Sequence, residues 1–184
     1  MRLTTTRPSS ELEEDQVLRG ILIACALACC WASASAQQDR VVPIETTELP
    51  MADALEAARV AVESCEADGY RVAAIVLNTE GNMQVYLRGD GATPYAIDSA
   101  RMKAYTLVNL GPIRDTATSS GLADSILASG NANPQLSNIP GILLVGGAVT
   151  IVRDGQRAGV LAVAGAPGGH LDEACAVEGI DAIQ

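Results

Sequence analysis

Asp154-Gly155 separates two apolar stretches rich in β-branched residues, 149–153 and 159–164. A two-residue hairpin turn of type I′ needs positive φ at both central positions, and Asp-Gly supplies it. The strands on either side must then run antiparallel. A second hairpin is expected upstream. Residues 71–77 (RVAAIVL) are a short apolar run, 79–82 (TEGN) read as a turn, and 83–88 alternate. Residues 142–145 (ILLV) add one more short apolar run. Five strands follow from this reading.

The remaining stretches have helical spacing. Residues 51–68 place apolar side chains at 51, 54, 55, 58, 62 and 65, with Gly69 at the expected C-terminal stop. Thr93 stands at a cap position and Pro94 in a first turn, opening a helix to about Leu107. Gly111-Pro112 marks a break, and a weaker helix is expected around 117–127. Residues 129–140 (SGNANPQLSNIP) form a long loop. A glycine-rich loop, 165–170, leads into a last helix over 171–183. The order is α-β-β-α-α-β-β-β-α. This is an α+β fold, a single five-stranded antiparallel sheet flanked by helices. It occupies 51–184, after an extended lead-in over 37–50, and contains no internal repeat.

The first 36 residues read differently. Residues 20–32 (GILIACALACCWA) are apolar but shorter than the ~20 residues that span a bilayer. They fit the core of a secretory signal, and Ala34-x-Ala36 is a small-residue cleavage pattern. Cleavage after Ala36 implies a periplasmic or secreted product with no membrane span. Glu11, Glu13, Glu14 and Asp15 are out of place in a basic signal leader. A start at Val17 would leave a compact signal with Arg19 before the apolar run. Lipidation at Cys25 is the other reading.

Loss of the signal removes three arginines and four acids, leaving nine basic against eighteen acidic side chains. A surface so acidic repels nucleic acid and anionic lipid. Two of the five cysteines remain, Cys65 and Cys175. An even pair in an exported chain suggests a disulfide; two buried thiols are the alternative.

Much familiar chemistry is absent. There is one histidine, His170, and no G-x-S-x-G elbow, clustered zinc-ligand set or P-loop ending. The single lysine, Lys103, lies near Arg101 on the middle helix, soon after Arg88 and the turn containing Asp90. Arg101 and Tyr105 share a helix face. This cationic group either holds a small carboxylate or pairs with Asp98 and Asp90. Gly168 and Gly169 precede a helix whose free amides attract anions, unless Asp172 and Glu173 already serve that end. His170 and Tyr95 are candidate metal or haem-iron ligands. Against this, a lone loop histidine is commonly just exposed, and Tyr95 equally suits half-buried packing.

Three stretches, RVAAIVLNTEGN, LRGDGATPYAIDSARMKAYT and GGAVTIVRDGQRAGVLAVAGAPGGHLDEACAVEGIDAI, resemble the GlcG/HbpS-like haem-binding family in content, order and spacing. The resemblance covers nearly all of 51–184. It implies a profilin-like αβα fold, frequent homo-oligomers and haem as ligand, with some members assisting haem breakdown or iron release. Arg88, Arg101 or Lys103 would then meet the propionates, and Tyr95 or His170 the iron. Relatives often carry histidine where Tyr95 stands. The alternative function is a periplasmic sensor or carrier of a small organic acid. Whether the chain is an enzyme stays open at this point.

Overall fold

The computed structural model describes residues 49–128 and 136–184. The expected signal peptide, its cleavage site, most of the lead-in and part of the 129–140 loop lie outside the described residues. The elements are α1 (Met51–Ala67), β1 (Ala73–Leu77), β2 (Met83–Arg88), α2 (Pro94–Arg114), α3 (Ser119–Ala128), a 3-10 turn (Leu136–Asn138), β3 (Ala148–Arg153), β4 (Gln156–Ala164) and α4 (Gly169–Asp181). They build an antiparallel sheet of order β2-β1-β4-β3 with helices on both faces. Among the described residues, no helix is long and apolar enough to cross a membrane.

The Asp154-Gly155 turn has positive φ at both residues, 49° and 74°, and pairs Arg153 with Gln156. This is the geometry that the dipeptide favours. Every residue of β1 is buried, which is what a central strand covered on both faces requires. Alternation then assigns the faces. Ala74, Val76, Leu161 and Val163 pack with α1 and α4. Ile75, Leu77, Val160 and Ala162 pack with α2 and α3.

The sheet has four strands, not five. Residues 142–145 run alongside α2, where the Leu143 amide donates to Thr106 Oγ1 at 2.7 Å. Their apolar character comes from packing beside this helix: Ile142 is buried, and Leu144 contacts the core under α2. The β3 edge they would have joined is already occupied. The Thr150 amide donates to Ala117 O at 2.8 Å, and Thr118 bridges Val149.

The middle helix also differs. It continues through Gly111-Pro112 to Arg114 and ends at Asp115, whose φ is 49°. There the Thr116 amide donates to Gly111 O. Thr93 occupies the expected cap position, but its hydroxyl makes no capping bond.

On α1, Met51 and Leu55 are exposed, while Ala57 and Ala61 join Ala54, Ala58, Val62 and Cys65 inside. The cause is close approach to α4. A Cβ on Gly179 would run into Ala57 O and lie 2.9 Å from Ala61 Cβ. Small residues therefore form the α1–α4 seam, and Cys65 and Cys175 are joined across it by a disulfide with Cα atoms 5.6 Å apart.

Candidate ligand-binding end of the sheet

Ala73 is in register with Arg88 on one side and Ala164 on the other. The exits of β2 and β4 and the entry of β1 therefore share one end of the sheet. The Gly89–Ala92 turn then leads into α2, and residues 165–168 lead into α4. Arg71 ties the two together. Its Nη1 donates to Asp90 O at 3.0 Å, and its own carbonyl lies against Gly165. Gly91, with φ of 76°, lies so close that a Cβ there would be 2.6 Å from Arg71 Nη1. Arg88 folds over the same turn, its Nε donating to Ala92 O at 2.8 Å. A cleft of about 250 Å³ opens here between Glu66, Gly69, Tyr70, Arg71 and Asp90.

Most of the residues singled out in the sequence gather at or near this end. Tyr95 sits in the first turn of α2 and is 73% exposed. Arg101 and Tyr105 lie further along the outer face of that helix, also exposed, with Tyr105 against Gly141. Gly168 and Gly169 form the start of α4, and His170 is exposed beside them. Arg71 was not singled out by sequence. Its only signal was a charge placed immediately before an apolar strand.

Lys103 lies apart from Arg101 because α2 turns it inward. It is 2% exposed, and so is Asp172. Its Nζ donates to Asp172 Oδ2 at 2.6 Å and to Val163 O at 3.1 Å. Asp172 Oδ1 accepts the Ala166 amide at 2.9 Å. Burial pushes the Asp172 carboxyl above the ordinary 3.8, and the Lys103 ammonium, the Ala166 amide and His170 only partly offset that push. Space for the pair exists because residue 147 is glycine. A Cβ there would lie 2.6 Å from Lys103 Nζ and 2.9 Å from Asp172 Cβ. The Lys103 charge is thus spent inside the protein, and the exposed cations at this end are Arg71, Arg88 and Arg101.

Glu173 likewise turns inward. Its carboxylate accepts from Ser120 Oγ at 2.6 Å, from the Ser120 amide at 3.2 Å and from the Gly147 amide at 3.3 Å. It ties the start of α3 to the entry of β3, so its charge serves that helix end. Among the described residues, no group of three or more His, Cys, Asp or Glu is placed to hold a metal ion. The arginines, exposed backbone and phenol suit an anionic ligand bound at the surface.

A three-layer αβα domain with an arginine-bearing, solvent-open end to its sheet is the class that fold and site define. Residues 49–181 match the family model described as haem degrading protein HbpS-like, and the chain belongs to this family. Among solved structures, HbpS is 38% identical with a TM-score of 0.66, covering 76% of this chain and 93% of that one. A double mutant of HbpS from Streptomyces reticuli matches equally well, at 38% identity and TM-score 0.66, covering 76% of this chain and 90% of its own. A PduOC:heme complex is 24% identical with a TM-score of 0.65, covering 74% and 96%, and shares the fold. No match is found among curated proteins.

Proposed function

We propose that the protein is an exported haem-binding or haem-handling protein that aids haem breakdown or iron release. The carrying observation is its membership of a family described as haem degrading. The name of the PduOC:heme complex, which shares the fold, points the same way.

The arginines, tyrosine and histidine at this end of the sheet are compatible with a haem lying on the surface. Arg71 and Arg88 would meet its propionates, and Tyr95 or His170 its iron. Each of these side chains is exposed, and the adjoining cleft of about 250 Å³ is open. A pocket that buries most of a ligand needs walls on both sides. A second copy of the chain would supply the missing wall, which motivates a homo-oligomeric reading. Bound haem supplies the redox chemistry of its iron. The chain's part is to hold the propionates and present an axial oxygen or nitrogen. Export is supported by the apolar run at 20–32 and the Ala34-x-Ala36 pattern.

Hemin titration of the purified protein tests the reading. Saturable binding, weakened by Arg71→Gln or Arg88→Gln and with a Soret band moved by Tyr95→Phe or His170→Ala, supports it. Non-saturating uptake that none of the four variants changes would refute it. Degradation assays with a reductant then distinguish a carrier from a catalyst.

A further inference from the structure

At the opposite end of the sheet lies an arginine with unused binding capacity. Arg157, on β4, is partly buried. Its Nη1 donates to Thr150 Oγ1 at 3.2 Å and its Nη2 to Thr116 O at 3.1 Å. Both acceptors are neutral. The buried Lys103 and the partly buried Arg153 each pair with a carboxylate, but Arg157 pairs with none among the described residues. A guanidinium carries five N–H donors, so three remain on Arg157. A partly buried cation gains from an anion, and among the described residues none pairs with it.

The surroundings leave room for one. Arg157 and Thr150 border a cleft of about 70 Å³ whose other walls include Val108 and Pro112 of α2 and Val160 of β4. Thr79, in the β1–β2 turn, stands at its border. Gly111 lies beside the guanidinium. A Cβ there would lie 3.4 Å from Arg157 Nη1 and 3.1 Å from Thr116 O. Thr116, whose carbonyl holds Arg157, has a buried hydroxyl with no hydrogen-bond partner.

We propose that this cleft binds a small monocarboxylate, with the carboxylate on Arg157 and a short apolar tail against Val108, Pro112 and Val160. A cation at one side and hydrocarbon along the other select for such a molecule. The volume limits it to a few heavy atoms. Planar carboxylate geometry matches the guanidinium fork, and the apolar walls disfavour a fully hydrated inorganic anion.

The test titrates acetate, propionate and inorganic phosphate into the full-length protein at constant ionic strength, followed by amide NMR. Saturable shifts centred on Thr79, Thr150 and Gly159, with propionate or acetate bound more tightly than phosphate, are expected. Arg157→Gln should weaken binding about tenfold or more, as loss of a charged hydrogen-bond partner does. Val108→Phe keeps the charge but fills the cleft, and should weaken propionate at least as strongly. The proposal is overturned if the carboxylates give no saturable shifts at these residues, if phosphate binds as well as they do, or if a folded Val108→Phe protein binds propionate unchanged.

Discussion

Lys103 and Asp172 meet at 2.6 Å although they belong to helices on opposite faces of the sheet. The pair passes the sheet beside Gly147, where the absence of a Cβ lets the ammonium through. It therefore fastens the α2 layer to the α4 layer, next to the end of the sheet that carries the candidate haem residues. Removing one partner leaves a buried charge without compensation, which typically costs about 3–5 kcal/mol. Lys103→Met or Asp172→Asn should each lower the unfolding free energy by roughly that amount. The double variant should lose less than the two singles combined. Chemical denaturation of the four proteins measures the coupling directly, and strict additivity would show that the two charges do not act as a pair.

The pH dependence of this pair has a definite sign. Burial holds the folded carboxyl of Asp172 above 3.8, so the folded chain binds its proton more tightly than the unfolded chain. Stability from this group is fully present below 3.8 and is lost as pH rises through the folded value. Unfolding free energy, measured against pH for wild type and for Lys103→Met/Asp172→Asn, isolates the contribution. The gap, wild type minus double variant, should move in favour of wild type on acidification. Movement the other way would mean that the Lys103 ammonium outweighs desolvation at this carboxylate.

Gly147 carries two demands at once. Its φ of 125° lies in the region that side chains rarely adopt, and a Cβ would meet Lys103 Nζ, Val163 O and Asp172 Cβ within 3 Å. Gly147→Ala should destabilise by about 1–3 kcal/mol through overpacking and backbone strain. Combined with Lys103→Met, the alanine should cost less, because one of the three clashes is gone. Equal cost in both backgrounds would place the strain in the backbone and the contacts with Val163 O and Asp172 Cβ, not in Lys103.

How much of this was legible beforehand depends on whether the cause was local. The Asp154-Gly155 hairpin, the Gly69 stop and the start of α2 at Pro94 are local, and they lie where sequence places them. The 142–145 run looked like a strand because hydrophobicity alone cannot separate a strand from a chain packed on a helix. The Gly111-Pro112 pair looked like a break because both residues disfavour a helix interior, yet the helix runs through them to Arg114. Arg101 and Lys103 looked like one cationic group because they are two residues apart. On a helix that spacing points them in different directions, and only the position of Asp172 explains where Lys103 goes. Arg71 gained its place from a contact with Asp90 nineteen residues away, which no local pattern announces.

The Cys65–Cys175 bridge joins α1 to α4 across a sequence separation of 110. Closing so long a loop restricts the unfolded chain strongly, and such bridges typically contribute roughly 2–5 kcal/mol. The seam already packs closely through Ala57, Ala61 and Gly179, so the folded state should keep its shape when the bond is cut. The Cys65→Ala/Cys175→Ala protein is therefore expected to fold, with a lower melting temperature than wild type under oxidising conditions. Under strong reductant, wild type should fall towards the double variant. Packing along the seam should hold α1 and α4 in place without the bond, so hemin affinity should survive the substitution at temperatures where the protein stays folded. Loss of hemin binding in a folded double variant would instead tie the α1–α4 seam to the ligand site and require the cleft beside Glu66 and Tyr70 to depend on the bridge.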